Sequence, residues 1–174
     1  MNEFDALLKY PKTDRISKDS KSKVIREIAE LLEKRPLSPF SRSISVRMID
    51  CGSSNDVEIE EGLANSPQVD CERFGIHFVA SPRHADVLLV SGPVSINMKR
   101  ALEKTYAAMP HPKAVVAVGD GAVTDRIFSK SNVIYKSGKV EDVVPVTIKV
   151  PGNPPAPYEL VLGILKAGII LSRQ

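Results

Sequence analysis

Val87-Leu88-Leu89-Val90, followed by Ser91-Gly92-Pro93, is the stretch that decides the fold. A strand wet on one face alternates apolar and polar residues. An unbroken apolar run bounded by loop residues belongs to a strand covered on both faces. Ala114 to Val118 is a second run of the same kind. Outward from these two, extended and helical patterns alternate. Ile44 to Ile49 carries β-branched residues at a period of two, Ile76 to Ala80 is a further strand, and Val146 to Val150 is the last. Val57 to Leu63, Ile96 to Met109, Ala122 to Ser129 and Pro157 to Leu171 read as helices, the second stopped by Pro110 and Pro112. Strands alternating with helices predict an α/β fold, a three-layer sandwich around a mainly parallel sheet.

Right-handed crossovers put the loops that follow the strands on one edge of such a sheet, and ligands bind at that carboxyl edge. The loops beginning at Asp50, Ser91, Gly119 and Pro151 all follow strands. Three glycine-bearing loops, 50–57, 119–122 and 151–155, are therefore expected to converge.

Composition narrows the function classes. The 174 residues, 43% of them hydrophobic, suffice for one domain with a real core. A net charge of +3 is small and gives no general case for nucleic-acid binding, which needs basic residues gathered on one face. Met1 to Ser20 has no apolar leader, which predicts a cytoplasmic chain. Leu160 to Leu171, interrupted by Lys166, is shorter than the roughly 20 apolar residues that span a bilayer. Any membrane link is thus expected to run through partner subunits. Residues 1–43 stand apart, with ten Lys/Arg and seven Asp/Glu. They read as an N-terminal extension to a domain of residues 44–174. Within it Ser20 to Lys34 is an amphipathic helix, with Val24, Ile25, Ile28, Leu31 and Leu32 on one stripe.

Five motifs in order carry a resemblance: Asp70-Cys71-Glu72-Arg73-Phe74-Gly75-Ile76, Ser81-Pro82-Arg83-His84-Ala85-Asp86, Val90-Ser91-Gly92-Pro93-Val94, Met109-Pro110 with Pro112-Lys113, and Val150-Pro151-Gly152 with Pro154-Pro155. With them the chain resembles the small, 20-kilodalton subunit of complex I and of energy-converting membrane-bound nickel–iron hydrogenases, including the formate hydrogenlyase type, over residues 44–165. The resemblance implies a flavodoxin-like domain holding one 4Fe–4S cluster beside a large subunit. The four cluster cysteines of that family would fall at Ser54, Val57, Gly121 and Asn153. Asp125-Arg126 stand where the family tends to have two glycines, and Ala156 where it tends to have an arginine.

Iron–sulfur clusters are held by thiolates. Serine oxygen is a poor substitute, an asparagine amide is weak, and valine and glycine offer no side-chain donor. No cofactor is therefore expected at these positions. Cys51, three residues before Ser54, is a candidate shifted first ligand, and Cys71 lies away from the loops. The simpler reading of both is a free, partly buried thiol. Asn55, Asp56, Asp120 and Asn153 are expected to refill the emptied pocket with hydrogen bonds. Asp120 also reads as a turn residue. Glu58 and Glu60 suit the positive end of a helix, and in the family an acid near Glu58 lies close to the large-subunit interface. Arg83 and His84 are candidate pocket or interface residues; no second histidine or carboxylate stands at metal spacing from His84.

The expected function is thus a cluster-less small subunit, an accessory partner of a hydrogenase-like or complex I-like large subunit on the cytoplasmic side of a membrane. The alternatives are a soluble flavodoxin-like module binding a small ligand at the emptied edge, and a redox subunit using thiols or a non-standard cofactor.

Overall fold

The computed structural model of the chain describes residues 18–34, 36, 39–124 and 131–173. Its strands are β1 (Ile44–Asp50), β2 (Ile76–Phe78), β3 (Val87–Ser91), β4 (Ala114–Val118) and β5 (Ile148–Val150). They form a single sheet in the order β2-β1-β3-β4-β5, every neighbouring pair parallel. The α/β class and the parallel sheet follow the alternation in the sequence. β3 and β4 lie centrally and are buried at every residue, as their unbroken apolar runs require. The register aligns the strand ends: Asp50 pairs with Ser91, Ser91 with Val118, and Val118 with Val150. All four following loops therefore leave the sheet at the same level.

The helices are α1 (Lys18–Glu33), α2 (Pro39–Arg42), α3 (Asp56–Ala64), α4 (Ile96–Ala108), α5 (Asp120–Val123) and α6 (Pro157–Leu171). Because side chains alternate across a strand, β3 and β4 feed two separate cores. Val87, Leu89, Val116 and Val118 pack with Val57 and Ala64 of α3, Ile28 of α1, and Leu160, Val161, Ile164 and Leu165 of α6. Leu88, Val90, Val115 and Ala117 pack on the other face with Leu102 of α4, Ala122 of α5, Val140 and Val144. The result is the three-layer sandwich.

Helix α6 has buried residues on all sides because it is covered twice, by the sheet beneath and by α1, α2 and α3 around it. Close approach is possible at Gly168, where a Cβ would lie 2.4 Å from Ile44 Cδ1 and 2.7 Å from the Phe40 carbonyl oxygen. The second contact is backbone and cannot swing aside. Gly168→Ala is expected to lower stability by about 1–3 kcal/mol, despite alanine's better helix propensity, measured by urea denaturation. α1 docks on α6 with Ile28 buried and Val24, Leu31 and Leu32 packed beside it, while Ile25 stays 41% exposed. Glu27 and Lys166 pair across this contact at 2.7 Å; both are well exposed, so the pair contributes under about 1 kcal/mol. The Met109–Lys113 segment closes α4. Lys113 Nζ donates to the Tyr106 and Met109 carbonyls at 2.7 and 3.3 Å, capping the helix C-terminus.

Three boundaries differ from the sequence reading. β5 begins at Ile148 because Thr147 uses its hydroxyl as well as its backbone: its N–H donates to Val115 O and its Oγ1 accepts from Val115 N–H. β2 stops at Phe78, although Val79 N–H still donates to Val46 O at 2.8 Å. The helix read over 122–129 starts earlier, at Asp120, and breaks at Thr124, whose backbone is extended. The remainder of that stretch, Asp125-Arg126 included, lies outside the described residues, as do residues 1–17.

Candidate functional site

At the carboxyl edge of the sheet the loops after β1, β3, β4 and β5 enclose a cavity of about 250 Å³. Its walls include Ser54, Val57, Gly121 and Asn153 together, with Asp56, Asp120 and the Gly92-Pro93 pair. It lies beside β1 and β3, where successive connections leave in opposite directions along the sheet, the usual ligand position in open α/β folds.

Hydrogen bonds fix each wall. Asp50 Oδ1 accepts from the Gly52 and Ser53 N–H groups at 2.8 and 2.7 Å, turning the chain sharply after β1. Cys51 N–H donates to Ser91 O at 3.1 Å, and Ser95 N–H donates to Cys51 O at 2.9 Å. From the first turn of α3, the Glu58 carboxylate accepts from two hydroxyls, Ser53 Oγ at 2.6 Å and Ser91 Oγ at 2.5 Å. Ser91 is fully buried, and its hydroxyl without that partner would cost about 1–3 kcal/mol. On the other side, Asp120 N–H donates to Gly152 O at 2.7 Å while Asp120 Oδ1 accepts from Gly152 N–H at 2.9 Å. Gly119 N–H donates to Val150 O at 2.9 Å.

The residues singled out in the sequence separate into two groups. Ser54 and Asn153 are exposed at the cavity, Val57 is 2% exposed, and Asp56 and Asp120 are half-buried there. Asn55 caps α3 in a left-handed conformation, φ 69°, with no side-chain cap bond, and its N–H donates to Ser53 Oγ. Arg83 and His84 sit in an exposed 3-10 turn, Pro82–His84, before β3 begins, so they lie at the amino edge, away from the cavity. Glu60 and its neighbour Glu61 have carboxyls raised above the usual range, each chiefly by burial; for Glu61 the Glu58 charge adds to this and Arg47 opposes it. Ser53, Ser91, Gly92 and Pro93 also belong to the site; the sequence reading placed their loops at this edge without assigning these four a site role. The Gly-Pro pair directly after a buried strand was the signal that could have found them.

Cys51, the candidate shifted first ligand, has its side chain apart from the ligand loops. It is fully buried in the core under α4, beside Leu88 and Val90, on the far side of the sheet from α3, and does not line the cavity. Burial, followed by the Asp50 charge, pushes its thiol up to about 12. Cys71 is buried in the opposite core, where its Sγ donates to Asn65 Oδ1 at 3.1 Å. Burial first, then the charges of Glu72 and Asp70, push it up to about 11. Both are free thiols, held neutral on opposite faces of the sheet.

The family described as the NADH ubiquinone oxidoreductase 20 Kd subunit matches residues 51–167, the stretch that contains the whole cavity. The chain belongs to that family. A probable membrane-bound hydrogenase subunit of Pyrococcus furiosus is 38% identical over 139 residues, covering 78% of this chain and 82% of the relative. Formate hydrogenlyase subunit 7 of Escherichia coli is 36% identical over 79% of this chain, which spans 53% of that relative's length. Among solved structures, a chain of the membrane-bound sulfane sulfur reductase, an archaeal respiratory membrane complex, superposes with a TM-score of 0.65 at 23% identity, over 87% of this chain and 77% of that chain. That likeness concerns the fold alone.

The 4Fe–4S cluster that the family resemblance implies does not fit the donors of this member. The walls present one hydroxyl, a pair of valine methyls, a bare glycine and one amide where four thiolates are needed. At Gly121 a Cβ would lie 2.9 Å from Pro93 Cδ and 3.2 Å from Pro93 N, so a side chain there would need Pro93 or the loop to shift. Among the described residues no group of three or more His, Cys, Asp or Glu is placed to hold a metal ion.

Proposed function

We propose that this chain is a cluster-less small subunit of a membrane-associated hydrogenase-like or complex I-like complex, docking on its large subunit as a structural partner. The observation that carries this is the cavity itself: its loops keep the family's motifs and spacing, while the positions expected to bind iron supply no thiolate. In this reading residues 1–43 are an extension of the 44–174 family domain, and electrons pass through other subunits. No helix among the described residues is long and apolar enough to cross a membrane; in this reading attachment runs through partners on the cytoplasmic side.

The test is affinity purification of the tagged full-length chain from its own cells under anaerobic conditions, with iron and acid-labile sulfide measured on the subunit after separation. A stoichiometric hydrogenase-like or complex I-like large subunit is expected, with no iron above background on this chain. A free monomer without such a partner would count decisively against the proposal.

The position of the cavity, at the carboxyl edge between β1 and β3, supports a second reading, a small ligand held at the edge. It predicts a flavin, nucleotide or other small molecule released on denaturation, detected by absorbance and mass spectrometry. A thiol-based redox role has the opposite support, because Cys51 and Cys71 occupy separate cores and are held protonated.

A further inference from the structure

We propose that a metal-free clasp built on Asp120 and Glu58 sets the spacing of the carboxyl-edge loops, in place of a cluster. This rests on reading the chain as cluster-less, and it assigns positioning roles to two side chains.

Each wall position is placed by a contact that needs no metal. Asp120 engages both main-chain groups of Gly152, its N–H donating to the carbonyl and its carboxylate accepting from the N–H. One residue of the β4 loop thus locks the β5 loop, and Asn153 follows directly. Only glycine fits at position 152: at φ +146° a Cβ would meet Pro155 Cα at 2.5 Å. Glu58 does the same for the first loop. Its two oxygens hold Ser53, next to Ser54, and the buried Ser91 at the end of β3. Val57, one residue before it, is buried, with its Cγ2 3.1 Å from where a Cβ on Gly119 would stand. Gly121 closes against Pro93. The β1, β3 and α3 segments are therefore joined through one carboxylate, and the β4 and β5 segments through another.

The charge of each carboxylate is matched to its donors. Hydrogen bonds to an ionised oxygen are about twice as strong as neutral ones, and two hydroxyls on Glu58 use both of its oxygens. A cluster joins loops through four bonds to a single centre. The clasp joins them in two halves, which meet where Gly121 touches Pro93 and Val57 faces Gly119.

The experiment uses the isolated full-length chain, so that its outcome is independent of any large subunit. Thermal melting and amide hydrogen exchange are measured with and without an iron chelator, on the wild type and on Asp120→Ala, Asp120→Asn and Glu58→Ala. The clasp predicts the same Tm with and without chelator and a protected Gly152 amide in iron-free protein. Asp120→Ala should lower Tm by about 3–10 °C and speed exchange at Gly152, leaving the β3 amides unaffected below global unfolding. Asp120→Asn, which keeps an acceptor oxygen, should restore most of the protection. Glu58→Ala should loosen 52–57 and spare Gly152. A wild-type Tm that falls on chelation overturns the proposal. So does a Gly152 amide that is unprotected in iron-free wild type, a reading that holds even where the alanine variants do not fold. Unchanged Gly152 exchange in a folded Asp120→Ala chain overturns it equally.

Discussion

Gly92→Ala is expected to destabilise the chain by about 2–5 kcal/mol, although it adds one methyl group. Gly92 has φ +70°, a left-handed conformation that costs an alanine about 1–2 kcal/mol. A Cβ there would stand 2.2 Å from Ser53 N, 2.5 Å from Ser53 Cα and 2.7 Å from Gly52 C. All three are backbone atoms, so no rotamer change relieves the overlap, and the first loop has to move. That loop is held by the Asp50 turn and by Glu58, which makes overpacking of about 1–3 kcal/mol the appropriate second contribution. At about 2–4 °C per kcal/mol for a chain of this size, Tm should fall by about 4–20 °C. The same change at Gly62 is the control. Gly62 lies in α3 with no heavy atom within 4 Å of a built Cβ, so Gly62→Ala should gain about 0.5–1 kcal/mol from helix propensity. Equal effects at the two positions would remove the close packing of the β1 and β3 loops from the account.

The elements legible in the sequence were those whose pattern is local. β3 and β4 announced themselves because a strand covered on both faces leaves no polar residue in the run, and α6 because a helix covered by a sheet and three helices is apolar nearly all round. The convergence of loops 50–57, 119–122 and 151–155 followed from chain direction alone. Contacts between distant residues were not legible. Glu58 reads locally as a favourable charge at a helix start, and nothing near it names Ser91, 33 residues away, as its partner. Asp120 reads as a turn residue, while its bond to Gly152 spans 32 residues. Cys51 looked close to the site by numbering. Its side chain faces the other core because it extends β1, where each step along the chain reverses the face. Arg83 and His84 sit within one of the family's motifs, yet that motif precedes β3, and the end of a parallel strand that a residue flanks decides which edge it serves.

A double variant, Ile59→Glu with Leu63→Glu, is expected to abolish recovery of the large subunit, weakening association by about 100-fold or more. α3 starts at the cavity wall with Asp56 and Val57 and buries Val57 and Ala64 against α6. Ile59 and Leu63, one turn apart, are left 57% and 45% exposed. An apolar pair standing out of an otherwise acidic helix, with Asp56, Glu58, Glu60 and Glu61 on it, suits the dry centre of an interface with a polar rim. Carboxylates placed there would be buried without partners on docking, at a cost far above that of merely truncating the two apolar side chains. In the free chain both side chains face water, so Tm should change little. Ile96→Glu with Val133→Glu supplies the matched control. Those residues are 53% and 61% exposed; Ile96 opens α4, in the layer opposite α3, and its N–H donates to Val133 O. Pull-down of the large subunit with each double variant then separates a specific face from general stickiness. Retention with the α3 variant and loss with the α4 variant would move the docking face to the other layer.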